Sequence, residues 1–254
     1  MMTHRDRQII CGLFLSKFNQ AGLAYLGFKS FVEAFNALGY GLQARPASIK
    51  NYRDELDPYF PNERRGWHKR PLREHCRQVL DVHRDARLDE LGELVKGFLL
   101  PVAEAESPPE VRRVLRAHEL GASSSFAKRL ITGKAAEQYF VANCKNMPEF
   151  SDLNVTDTTG WGCGFDFKLV APQSASFLAV EVKGMRTKSG EFQMTELEHD
   201  MADALSERYY LVLVRNFVEQ PFHTVIRDPS HCGIKFTKLA RKEVRFTWSA
   251  NVGA

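Results

Sequence analysis

Residues 164–184, GFDFKLVAPQSASFLAVEVKG, constrain this chain more than any other stretch. Phe165, Phe167 and Leu169 alternate with Asp166 and Lys168, and Val180 and Val182 alternate with Ala179, Glu181 and Lys183, which is the period of a strand. Between the two runs, Pro172, Gln173 and Ser174 are turn residues. A hairpin centred between Gln173 and Ser174 sets position 166 opposite 181, 167 opposite 180, and 165 opposite 182. Facing residues of an antiparallel pair point to the same side. The spacing therefore predicts an apolar face of Phe165/Val182, Phe167/Val180 and Leu169/Leu178. The other face brings Asp166 against Glu181, with Lys183 two residues along.

Two carboxylates facing each other across a ladder repel, unless a cation lies between them. On one reading both face solvent and repel weakly. On the other they hold a divalent ion, since hard cations such as Mg²⁺ take one or two carboxylates and keep several waters. An ion there can acidify a water and stabilise charge on a phosphoryl oxygen.

Asp166 followed, across a hairpin, by Glu181-Val182-Lys183 resembles the PD-(D/E)xK nuclease superfamily, the fold of many restriction endonucleases. That family carries another acid on the helix before the first core strand. Here Gly133-Lys134-Ala135-Ala136-Glu137 supplies one, Glu137, on a helix predicted over 133–146. The order G-K-x-A-E, G-x-D, V-E-V-K-G, T-x-x-E and a Tyr-Tyr strand is similar to the nuclease-like domain named after the C-terminus of the plant NO VEIN protein. The likeness spans roughly residues 125–230. One departure is that Phe165, not proline, precedes Asp166. The resemblance implies one or two Mg²⁺ ions, with Mn²⁺ as a substitute, held by Asp166, Glu181 and the Val182 carbonyl. It also implies catalytic roles for Asp166, Glu181, Lys183 and Glu137. Lys183 would orient or help deprotonate the attacking water and stabilise developing charge, and Glu137 would complete a second metal site or position a water. Gln193 and Glu196 are secondary candidates.

The first half of the chain reads as helices. Ile9, Ile10, Leu13, Phe14 and Phe18 recur at helical spacing over 5–19. Ser30 and Glu33 form a capping-box pattern before a helix ending near Gly39. A third helix starts near Pro46 or Ser48 and stops before Asp57-Pro58. Three such helices fit a helix-turn-helix-like bundle, in which Lys50, Asn51 and Arg53 would reach base edges or phosphates. They equally fit an ordinary bundle with a solvated polar face. Between Phe60 and Leu80 lie Arg64, Arg65, Lys69, Arg70, Arg73 and Arg77 against Glu63 and Glu74. That excess equals the net charge of the whole chain, +4. Arg64, Arg65, Trp67, His68, Lys69 and Arg70 suit contact with a phosphate backbone and stacking, or form a merely solvated face. Further helices are predicted over 72–84, 88–99 and 110–118.

Strands follow at 153–158, 208–217, 223–227 and 244–248, with a capped helix opening at Thr195-Glu196-Leu197-Glu198. The predicted fold is α/β. A helical, DNA-binding domain over 1–110 precedes a restriction-endonuclease-like mixed sheet flanked by helices over 120–254, with the boundary in 100–122. The glycine-rich residues 159–164 lack P-loop spacing, which argues against a nucleotide cofactor. The five cysteines form no C-x-x-C pair and fit a reducing cytoplasm. The N-terminal apolar run, interrupted by Ser16 and Lys17, reads as too short for a signal peptide or membrane span.

The leading expectation is a Mg²⁺-dependent, site-specific endonuclease of restriction or defence type acting on double-stranded DNA. A homodimer is one way to cut both strands, two successive reactions the other. The rivals are a repair or transposition nuclease, a non-catalytic DNA-binding module that keeps a nuclease-like fold, and a transcription regulator needing no metal.

Overall fold

The computed structural model describes residues 2–99, 124–240, 248 and 250. The expected domain boundary at 100–122, the helix at 110–118 and most of the strand at 244–248 lie outside the described residues.

Helix α1 (His4–Leu26) opens on a reciprocal cap, Thr3 Oγ1 accepting from the Asp6 amide and Asp6 Oδ2 from the Thr3 amide. The expected end near residue 19 is not an end. Asn19 takes φ 48° and ψ −123°, a kink rather than a stop, and the helix resumes to Leu26 before Gly27 closes it at φ 80°. The apolar run is therefore longer than its sequence suggested, and α1 is long and apolar enough to cross a membrane by length and composition. Protein occupies that surface instead: Ile9, Leu13, Phe14 and Leu15 are fully buried. Helix α2 (Phe31–Gly41) starts at Ser30, whose Oγ accepts the Glu33 amide, and runs two residues past the expected Gly39. Helix α3 (Pro46–Leu56) begins with proline in its first turn, where no amide is needed. It crosses α1 closely at Gly12, where an added Cβ would lie 2.6 Å from Tyr52 Cβ. Helices α4 (Glu74–His83) and α5 (Leu88–Gly97) pack against α1.

The second half is a mixed sheet in the order β1 (Asn154–Asp157), β2 (Phe167–Val170), β3 (Phe177–Gly184), β4 (Tyr209–Arg215), β5 (Phe222–Arg227). Strand β3 is antiparallel to β2 and parallel to β4, so the β3–β4 crossover carries a helix, α7 (Glu196–Leu205). Helix α6 (Ser124–Asn143) packs on the other face. One apolar cluster runs from α1 through α6 to Phe167, Leu169, Val180, Val182 and Val212 of the sheet. A smaller cluster under α7 joins Ala179, Ala202 and Tyr209.

The hairpin register is the predicted one, with Phe167 opposite Val180 and Leu169 opposite Leu178. Phe165 is the exception. Gly164 sits at φ +82°, the strand begins only at Phe167, and the Phe165 ring turns to the α7 side, 5.9 Å from that of Phe177.

The bundle meets the sheet through α2. Asn36 Nδ2 donates to the carbonyls of Phe217 and Glu219 at 2.8 Å each, and Arg186 Nε pairs with the buried Glu33 at 2.7 Å. Tyr40 packs edge-on against Tyr139 of α6 and Phe217.

Candidate active site

Strand β2 stops one residue short of Asp166, and that residue takes the strand's place. Its amide donates to the Val180 carbonyl at 3.0 Å and its carbonyl accepts from Thr158 at 2.8 Å. Its side chain then turns to the neighbouring strand, where Oδ2 accepts the Val182 amide at 2.9 Å. A carboxylate thus supplies the bond that a continuing ladder would have made. Glu181 lies opposite on β3 and is 3% exposed.

Lys183 reaches the same face. Its Nζ is 2.6 Å from Glu181 Oε1 and 2.6 Å from Glu198 Oε2. Glu198 belongs to the first turn of α7, and its Oε2 also accepts the Thr195 amide at 2.9 Å while Thr195 Oγ1 accepts the Glu198 amide at 3.2 Å. From α6, Glu137 pairs with Lys134 at 2.9 Å and acts electrostatically on Asp166. Helix α6 is pressed against the end of β3: a Cβ on Gly184 would lie 2.7 Å from the Thr132 carbonyl.

Burial drives the Asp166 carboxyl well above its ordinary value. The Val182 amide and Lys183 pull it down, while Glu137 and Glu198 add to the rise. Glu181 is raised by burial first and then by Asp166. Burial alone would lower the Lys183 ammonium, but the carboxylates of Glu181 and Glu198 outweigh it and hold the group above its usual value. The site thus gathers hard carboxyl oxygens whose ionisation is held back by burial and by one another, beside a lysine that stays cationic. Such a donor set fits a divalent ion bound through Asp166 and Glu181. Among the described residues, no three or more histidine, cysteine or carboxylate side chains form a ready-made ligand cage.

Asp166, Glu181 and Lys183 therefore come together, Glu137 acts on Asp166 only electrostatically while paired with Lys134, and Glu198 joins Lys183. Its signal was present in the sequence: Glu198 stands three, four and seven residues before Met201, Ala202 and Leu205, which pack beneath the helix. Glu196 falls on the outer side, where it pairs with Lys238 at 2.5 Å. Tyr209 also faces in, its hydroxyl donating to the Gly164 carbonyl at 3.0 Å and tying down the turn before Asp166.

The expected DNA-contact residues divide. Lys50, which pairs with Asp54 at 2.9 Å, and Asn51, Arg65, His68, Lys69 and Arg70 are exposed. Trp67 is half-buried beneath Arg70. Arg53 is not on an outer face. It is 8% exposed, lies over the rings of Phe31 and Phe35, and pairs with Asp54 at 2.7 Å. Arg64 likewise serves the bundle: it pairs with the buried Asp57 at 2.7 Å and donates to Asn19 at the kink of α1. Both arginines neutralise Asp57, which explains their inward course.

A family model described as Protein NO VEIN, C-terminal, matches residues 134–226. That family is associated with a nuclease-like domain, and the matched stretch contains Glu137, Asp166, Glu181, Lys183 and Glu198. No curated protein and no solved structure matches the chain.

Proposed function

We propose that the chain is a Mg²⁺-dependent, site-specific DNA endonuclease of restriction or defence type, built on a PD-(D/E)xK core of restriction-endonuclease type. The observation that carries this reading is the half-buried Asp166 set against the buried Glu181, with Lys183 beside them. The match to a family with a nuclease-like domain supports it.

Asp166, Glu181 and the Val182 carbonyl would hold the ion. When bound, Mg²⁺ supplies Lewis-acid stabilisation of a phosphoryl oxygen and a more acidic water. Lys183, kept protonated by its two carboxylates, suits charge stabilisation and orientation of a phosphate oxygen better than proton abstraction. Glu137, which acts electrostatically on Asp166, would accept a hydrogen bond from water. The exposed Arg65, Lys69 and Arg70, with Trp67, would contact the duplex backbone.

The test is cleavage of supercoiled plasmid with Mg²⁺, Mn²⁺ or EDTA, beside Asp166→Ala and Glu181→Ala. Discrete, metal-dependent fragments that vanish in both variants are expected. Random nicking would point to a repair or transposition nuclease. Intact DNA with every metal, while binding persists in both variants, would leave a non-catalytic DNA-binding module.

A further inference from the structure

We infer that Glu198 is the berth of the Lys183 ammonium and thereby sets the affinity of the site for a divalent ion. This rests on reading Asp166 and Glu181 as the ion-holding pair. Lys183 Nζ stands 2.6 Å from a carboxylate oxygen on either side, one of Glu181 and one of Glu198. A divalent ion bound to Glu181 would repel an ammonium touching the same carboxylate. The ammonium must then leave Glu181, and a half-buried cation without a partner is costly. Glu198 removes that cost because it is already in contact: Lys183 gives up one partner and keeps the other.

The berth is fixed in place. Glu198 Oε2, the atom that meets Lys183, also accepts the Thr195 amide at 2.9 Å, so the cap of α7 holds the carboxylate. Glu198 is 17% exposed at its side chain, against 71% for Glu196 on the same turn. Glu198 is thus a positioning residue, acting on the ion through Lys183.

Calorimetric titration of the full chain with Mn²⁺, without DNA, tests this in the wild type, Glu198→Gln, Thr195→Ala, Lys183→Met and the Lys183→Met/Glu198→Gln double variant, each checked by thermal melting. Glu198→Gln keeps an oxygen for the Thr195 amide but loses the charge. It should weaken Mn²⁺ binding on the order of tenfold, the range seen when a residue behind a metal ligand is changed. In the Lys183→Met background the same substitution should change affinity by less than about twofold, because the competing cation is gone. Thr195→Ala should bind Mn²⁺ as the wild type does. The inference is overturned if the wild type binds no Mn²⁺ or if Glu198→Gln binds it normally. It is equally overturned if Thr195→Ala reproduces the loss, or if the loss persists undiminished without Lys183, which would make Glu198 a direct ligand. Failure of the nuclease reading looks different: Mn²⁺ binds with this dependence on Glu198, yet no DNA is cut.

Discussion

The Asp166 carboxylate accepts the Val182 amide at 2.9 Å, so one oxygen of an expected metal ligand is already committed to the adjoining strand. Charge and hydrogen bonding at Asp166 can therefore be separated. Asp166→Asn keeps an acceptor for the amide while removing the repulsion with Glu181, and it should melt above the wild type in EDTA. Asp166→Ala leaves the amide unpaired and should be less stable than Asp166→Asn by about 1–3 kcal/mol. Both should be inactive on DNA. Equal stability of the two variants would show that the amide bond contributes nothing.

The raised carboxyls of Asp166 and Glu181 give the pH dependence a sign. Their ordinary values are 3.8 and 4.5, and both are higher in the folded chain. The folded state thus keeps protons that the unfolded chain has released, and the stability from these groups is lost as pH rises through the raised values. In EDTA the wild type should lose more stability between about pH 5 and about pH 8 than Asp166→Asn/Glu181→Gln does. Mg²⁺ should raise the wild-type melting temperature more at the upper pH. Parallel profiles for the two proteins would contradict the shifts.

The two kinds of arginine should behave oppositely. Arg64→Ala removes a partner from Asp57, which is 1% exposed, and should cost about 3 kcal/mol. Arg65→Ala, Lys69→Ala and Arg70→Ala should leave the melting temperature unchanged. Each should weaken DNA binding and lower the salt slope by about one. Normal stability of Arg64→Ala with weakened DNA binding would return that residue to the nucleic-acid surface.

Gly184 fixes the spacing between β3 and α6. An added Cβ would meet the Thr132 carbonyl at 2.7 Å and Ala136 Cβ at 3.0 Å. Gly184→Ala should cost about 1–3 kcal/mol and shift the helix that carries Glu137. A loss of cleavage larger than the loss of folded protein is expected. A melting temperature equal to that of the wild type would mean that α6 yields without strain.

Period-2 alternation and three turn residues were enough to place Phe167 opposite Val180, because a slip by one residue would have turned every apolar side chain outward. Phe165 escaped the pattern because the left-handed Gly164 ends the regular backbone, and alternation holds only inside a strand. Arg53 was legible in part. It falls four residues after Ile49 and three before Leu56, on the stripe that faces the bundle, yet its charge argued for solvent. What reversed that argument was Asp57, whose burial depends on the fold as a whole. Glu198 was masked in a similar way: a T-x-x-E box is sufficiently explained by helix capping, and its second bond, to Lys183, joins residues 15 apart.

The link between Asn36 and the carbonyls of Phe217 and Glu219, with the Glu33–Arg186 pair beside it, has a mechanical consequence. Hinging α2 away from the sheet would strip buried polar groups of their partners and separate Tyr40 from Tyr139 on α6, the helix that also bears Glu137. Along this seam the helical half and the sheet are joined by buried polar bonds. Opening the seam would therefore break the Asn36 bonds, the Glu33–Arg186 pair and the Tyr40–Tyr139 contact together.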